Sequence, residues 1–553
     1  MRRISKWLSW IPATALLASS LAACTSNAGS GSAKQRASYL VIGTTDGIDS
    51  LNPFVGLNQD AFNSWEELYP ALVQYNPRTL TFVPDFATSW KQSPDGLTWT
   101  FNLVRNAKWS DGRPLTSADV AWTYNTLIKF QNGPTATAAG AIAHMTRAVA
   151  EGPAKVVFDY NKPVAGALSR FQAVPILPEH VWAQFASGNG AALKTFLNEP
   201  TAARPVVSGG PFMAVKWVLN QVAVFKRNPY WYGPRPRIHG YVLQLFSNAD
   251  AMVQALKTGQ IDAIEEVPVT AVSSIRSAGF HVYVGPSLTW REFTINGNPR
   301  KLTHRELLNP LVRKAFEYAI DRQAIVKTAW LGYASPGSVM VSPGDRNWHD
   351  PNVQPLPFDL AKANQLLNQA GYKMGPNGLR IANGHPMSYT VIFSTDQNGA
   401  GDRAFAIIQS DFAKIGVRLN EKKLDPSATF NAISANHYRN FDMAMWFWIP
   451  LIDPDLILSA YTCGQYNGWN DNGYCNPAYD HLYNEQAVTL NQQKRLAIIY
   501  QMEKMIYESR TEIVLVYNKV IDAWSNHWTG FVESPQGFYT QFSRLSLQEV
   551  HRV

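Results

Sequence analysis

The segment Asn440-Phe441-Asp442-Met443-Ala444-Met445-Trp446-Phe447-Trp448-Ile449 ends in two tryptophans one residue apart and runs on into Pro450-Leu451-Ile452-Asp453-Pro454-Asp455. Its composition reads as a strand running out into a loop. It is the segment expected to touch a ligand. Covalent chemistry finds less support. There is no His-Glu-x-x-His helix and no Gly-x-Ser-x-Gly elbow. The 11 histidines are scattered, none three to five residues from another, so no local metal-ligand pair exists. Asp453/Asp455 and Glu265/Glu266 could serve a secreted hydrolase only at the right separation in space. The expectation is therefore a binding protein with no catalytic residue, cofactor or metal, a secreted glycan or peptide hydrolase being the rival class.

The elements that must carry this strand alternate between β and α patterns, which points to an α/β fold. Tyr39–Gly43 and the alternating Leu97–Leu103 read as strands. Ser117 is placed as the N-cap of a helix burying Val120, Tyr124 and Leu127, and Asp250 as the cap of a second that ends at Gly259. Asn309-Pro310 opens a third, Asp359 caps a fourth, and a fifth spans about Asp402 to Ile415 before Gly416. Trp99 and Trp109 are assigned to the core.

Composition narrows the class. The net charge of +8 is mild for 553 residues and the basic residues are dispersed, which argues against a nucleic-acid partner. Arg2, Arg3 and Lys6 precede an apolar run from Trp7 to Leu21, then Leu21-Ala22-Ala23-Cys24 and a polar stretch. That run is about fifteen residues, short of the ~20 a membrane span needs, and the order is that of a secretory signal. The lipobox pattern implies cleavage before Cys24, lipidation of its sulfur, and a protein tethered by lipid to a membrane outside the cytoplasm, at the cell surface or in the periplasm. In that compartment Cys463 and Cys475, in CGQYNGWNDNGYC, are expected to bond.

Seven motifs in order resemble the extracellular solute-binding proteins of family five, the dipeptide-, oligopeptide- and nickel-binding receptors of ABC transporters. They are IGTTDGIDSLNPF, VPDFATSWKQSPDGLTWTFNLVRNAKWSDGRPLTSADVAWTY, GGPFMAVKWVLNQVAVFKRNPYWYG, LKTGQIDAI, VRKAFEYAIDRQAIVKTAWLGYASPG, LAKANQLLNQAGY and the 440–455 segment. The resemblance implies a two-lobed periplasmic-binding-protein-like fold, type II, of the large cluster with an extra inserted domain. It assigns 1–23 to the lipoprotein signal and 24–38 to a tether. Domain I takes 39–72, 205–288 and 521–553, inserted domain II takes 73–204, and domain III, the second lobe, takes 289–520.

It further implies a cleft lined by Trp448, Ile449 and Trp446, with Thr289 and Trp290 at the crossing between lobes. Where relatives carry an aspartate for a peptide's α-amino group, this chain has Leu451. A buried ammonium without a carboxylate is costly, so Asp453 is the candidate substitute; otherwise the amino end is unclamped. The implied partners are an oligopeptide, with an oligosaccharide or metal chelate as alternatives, and the permease subunits of an importer, the receptor acting as a monomer.

Overall fold

The computed structural model describes residues 39–201, 203–395, 398–448, 452–467, 469–540 and 543–553. Cys24, Ile449 and Leu451 lie outside them.

Helix starts follow capping chemistry, twice displaced from the sequence reading. Thr116, not Ser117, caps Ser117–Phe130: its hydroxyl accepts from the Ala118 N–H, and Asp119 returns a bond to the Thr116 N–H. That reciprocal box settles two otherwise orphaned donors. Asn248 caps Ala249–Lys257, and Asp250 sits in the first turn. Asn309 and Asp359 cap as expected. The fifth helix is longer than expected, Asn398–Lys414, and Gly416 follows it at φ 75°.

Three sheets organise the chain. A seven-stranded mixed sheet runs in the order His281–Gly285, Val520–Trp524, Ala263–Ile264, Tyr39–Thr44, Gly240–Leu245, Val222–Arg227, Phe212–Val218. A four-stranded antiparallel sheet is Ala87–Gln92, Thr98–Leu103, Lys155–Tyr160, Met145–Ala150. A six-stranded sheet is Ala334–Pro336, Glu512–Asn518, Trp290–Ile295, Met443–Trp448, Ser388–Ser394, Arg418–Leu424.

Packing decides which sheets move together. One continuous apolar cluster joins Leu40, Phe225 and Tyr241 of the first sheet to Trp99, Phe101 and Phe158 of the second, with Trp109 and Phe171 between them. Arg544, 1% exposed, adds ion pairs to Asp85 and Glu66 in the same body. The six-stranded sheet keeps its own clusters, around Phe293 and Phe412 on one side and Met340 and Met502 on the other. Two lobes result. The chain crosses between their main sheets twice, from Gly285 to Trp290 and from Asn518 to Val520. Paired short connections of this kind let two packed bodies hinge.

Candidate functional site

The Met443–Trp448 strand lies inside the second-lobe sheet, antiparallel to Trp290–Ile295 and parallel to Ser388–Ser394. Trp448 stands opposite Trp290, Phe447 opposite Arg291 and Trp446 opposite Glu292. Side chains alternate across a sheet, so Trp446 and Trp448 share one face and Phe447 takes the other, under the Arg291 guanidinium at 4.2 Å. Trp446 and Trp448 are both half-buried.

The strand's far end meets the first lobe. Ile452 packs with Tyr75, Leu80 and Leu288 in a small apolar cluster. Beyond it the contacts turn polar. A Cβ placed on Gly166 would lie 3.2 Å from Asp453 Oδ2, so the glycine lets that carboxylate approach closely. Arg170, next to Phe171 of the first lobe's apolar cluster, donates to Asp455 Oδ2 at 2.8 Å, and the Ala165 N–H donates to the Ala487 carbonyl at 2.8 Å. Burial alone would raise the Asp455 pKa, but the Arg170 charge, the Gln486 hydrogen bond and Arg495 outweigh it and hold the carboxyl below its ordinary range.

Two of the expected residues already have protein partners. Asp453 does not offer a free carboxylate to a ligand ammonium. Arg495 donates to both of its oxygens at 2.7 Å, and Oδ1 also accepts the Asp455 N–H. A carboxylate already held by a bidentate guanidinium has little charge left to give. Trp290 does not line an opening: it is 0% exposed, packed among Met340, Val341 and Tyr517, with its indole N–H on Glu292 Oε2 at 2.9 Å. Thr289 is half-buried, its N–H bound to Ser287 Oγ.

Residues the sequence reading passed over stand beside Trp448. Trp469, 57% exposed, stands edge-on to Trp448 at 6.3 Å, and Phe430 lies 6.5 Å from Trp469. The available signal was position: Trp469 falls between Cys463 and Cys475, which are joined in the structure. Trp448 donates its indole N–H to Asp471 Oδ2 at 2.9 Å, from the same cross-linked loop.

Asp471 belongs to a buried trio. Ligating oxygens of Glu292, Asp471 and Glu512 lie within 4.8 Å of one another. Neutral groups donate to them: Trp290 and Thr294 to Glu292, Trp448 to Asp471, Tyr461 to Glu512. Neutral donors do not offset three negative charges in a low-dielectric site. Burial, then the neighbouring acid, pushes Glu292 and Asp471 well up, and Glu512 is raised to about 8. In each of the three, burial and the neighbouring acid favour the protonated form.

A raised carboxyl favours the native state fully below its unfolded pKa, ~4.3, and that advantage drains as pH climbs through the folded value. The unfolding midpoint is accordingly expected to fall between pH 5 and 8, and less steeply in Glu512→Gln. Parallel slopes for the two proteins in thermal melts would refute this account of Glu512.

Comparison with known proteins bears on the whole architecture. The family model described as bacterial extracellular solute-binding proteins, family 5 Middle, matches residues 81–469. The chain is 25% identical over 511 residues to the probable D,D-dipeptide-binding periplasmic protein DdpA of Escherichia coli K12, covering 90% of this chain and 92% of that one. Among solved structures it resembles the oligopeptide-binding protein AppA of Bacillus subtilis, crystallised with a nonapeptide, at TM-score 0.77 and 19% identity over 93% of this chain and 98% of that one. It also resembles NikZ of Campylobacter jejuni, crystallised with Ni(L-His), at TM-score 0.79 and 21% identity over 93% and 100%.

Proposed function

This chain belongs to the bacterial extracellular solute-binding proteins of family 5, and from that membership we propose that it captures oligopeptides between its lobes and delivers them to the permease of an ABC importer. The single observation that carries the reading is the course of the Met443–Trp448 strand. It ends half-buried and aromatic where the second lobe meets the first, with Trp446, Trp448 and Trp469 grouped around that end.

The physics suits a receptor of broad range. A peptide laid along a strand end is held through groups that every peptide has, and apolar rim surface accepts varied side chains. Closure about two crossing segments buries it, and trapped water can satisfy side chains that fit imperfectly. Arg170 on Asp455 and the Ala165–Ala487 hydrogen bond supply polar contacts between the lobes, suited to forming and breaking during transport. With Asp453 held by Arg495, the α-amino group of the cargo is left without that carboxylate, which favours longer peptides whose ends need no fixed clamp.

Family and fold are those of substrate-binding proteins, and the receptor does no chemistry in this reading. No described helix is long and apolar enough to cross a membrane. We assign membrane attachment to lipid on Cys24, which would keep a monomeric receptor concentrated beside its permease. The domain limits 39–72 with 205–288 and 521–553, 73–204, and 289–520 are adopted for the moving parts.

Mass spectrometry of ligand released on denaturing the purified protein tests the cargo. A pool of short peptides is the expected result. A homogeneous sugar or a metal chelate would overturn the peptide reading.

A further inference from the structure

We propose that the surface at the Tyr39 end of the first-lobe sheet is a docking face for the anionic headgroups of a lipid bilayer. The inference rests on the attachment through Cys24 proposed above and adds the face that meets the membrane. Tyr39 pairs with Gly240 in the parallel ladder, and Gly240 pairs with Lys226 in the antiparallel one. Neighbouring strands lie ~4.8 Å apart, so Lys226 stands about 10 Å from the point where the chain enters the fold.

Basic side chains collect around that point. Arg227 follows Lys226 and donates its backbone N–H to the His239 carbonyl at 2.8 Å and its guanidinium Nη1 to the Pro236 carbonyl at 2.8 Å. Burial, and then the charge of Arg235, hold the Arg227 pKa below its ordinary value. The Arg237 N–H donates to the Gln548 carbonyl at 3.1 Å, and its Nη1 lies 3.2 Å from His551 Nδ1, which brings the neighbouring Arg552 to the same surface. Lys226, Arg235, Arg237 and Arg552 are exposed, and Arg227 is half-buried. The acids nearby are engaged: Asp262 accepts from the Val41 N–H at 2.9 Å, and Glu549 pairs with Arg78 at 3.8 Å.

This surface is turned away from the second lobe. Val520–Trp524 runs antiparallel to His281–Gly285 and to Ala263–Ile264. Val520 and Gly285, where the chain crosses between lobes, therefore sit at one end of the sheet, and Trp524, opposite Ala263 and His281, sits towards the other. Ala263–Ile264 is parallel to Tyr39–Thr44, with Ala263 opposite Ile42, so Tyr39 lies at the end away from the crossings. The 14 residues 25–38 separate it from Cys24, a reach of at most about 50 Å. Lipid on Cys24 thus confines the basic surface to the neighbourhood of a bilayer, and its charge is complementary to anionic headgroups.

The division of labour follows from the two forces. The acyl chain gives lasting attachment. The cations add attractions that act only within a Debye length, ~8–10 Å, and so fix which face rests on the membrane. In that pose the second lobe and the cleft point outward, where cargo arrives. Delivery to a permease requires the face to lift, and contacts spread over exposed side chains release readily.

Sedimentation with lipid vesicles tests this on the chain from Thr25 onward, which keeps every described strand and helix and carries no acyl group. It is expected to bind phosphatidylcholine vesicles containing phosphatidylglycerol at about one part in four, to bind phosphatidylcholine alone far less, and to be released by salt near ~0.5 M. The triple variant Lys226→Glu, Arg235→Glu, Arg237→Glu should bind the mixed vesicles at least ~tenfold more weakly. A control, Lys327→Glu, Lys373→Glu, Lys422→Glu, makes the same charge change at exposed lysines of the second lobe and should bind as the natural chain does. Circular dichroism should report the native fold in both variants, since every side chain changed is exposed. No binding to the mixed vesicles, equal binding to phosphatidylcholine alone, or equal losses in the two variants overturns the docking face. The intact mass of membrane-extracted protein reads Cys24 separately: an unmodified cysteine would overturn the lipid attachment and leave the vesicle result to decide the face.

Discussion

Arg495→Leu is expected to destabilise the second lobe by about 3–5 kcal/mol, the cost of leaving a buried charge without its partner. Arg495 and Asp453 have side chains only 4% and 8% exposed, joined by two hydrogen bonds of 2.7 Å. Arg495 also donates Nε to Gln486 Oε1 at 3.0 Å and stacks over Trp348 at 4.8 Å. Removing the guanidinium strands Asp453 against Gly166, with its side chain 8% exposed. The double variant Arg495→Leu with Asp453→Leu should recover most of the loss, because a buried ion pair and an apolar pair of similar volume are often comparable in free energy. Denaturant unfolding of the two single variants and the double variant closes the cycle. A loss under about 1 kcal/mol in Arg495→Leu would mean that solvent reaches Asp453, reopening it as a ligand group.

The second large effect concerns binding. Trp448→Ala should weaken peptide binding by roughly 30-fold or more, the scale of a central aromatic contact worth ~2 kcal/mol or above. Trp448→Phe, which keeps a ring but loses the N–H on Asp471 at 2.9 Å, should fall between alanine and the natural residue. The thermal midpoint of the ligand-free Trp448→Ala protein should move by only a few degrees, because this side chain is half-buried at a strand end. Calorimetric titration with a peptide recovered from the protein measures the first, and a thermal melt the second. Binding that survives Trp448→Ala, or a ligand-free midpoint that collapses, would make Trp448 a core residue.

These two residues show how far the amino-acid sequence could be read. The strand that ends at Trp448 was legible because its residues follow a strand pattern. Trp290 was not, since a tryptophan looks the same in sequence whether it faces a cleft or fills a core; its partner Glu292 lies two residues away, but the apolar bed that closes over it comes from Met340 and Val341. The partner of Asp453 was hidden for a related reason. The Asp-Pro-Asp motif is local, but the guanidinium that occupies it belongs to the Gln492–Ser509 helix. Trp469 went unnoticed because its exposure depends on how the cross-linked loop is presented.

The sequence by itself determined the α/β class, the order of strands and helices, and the family. Periodicity, caps and turns are written within a few residues of one another, where backbone geometry alone selects the structure. Its errors there were a one-residue shift at Thr116, a two-residue shift at Asn248 and a four-residue late start for the helix that begins at Asn398. Only the tertiary structure decided which charges meet and which rings face solvent. It gave Asp453 to Arg495, tied Arg170 of one lobe to Asp455 of the other, and brought His304 beside His385. Those pairings form between segments far apart in the chain. Side-chain reach and burial fix them once the sheets have packed, and no local spacing of residue types encodes that.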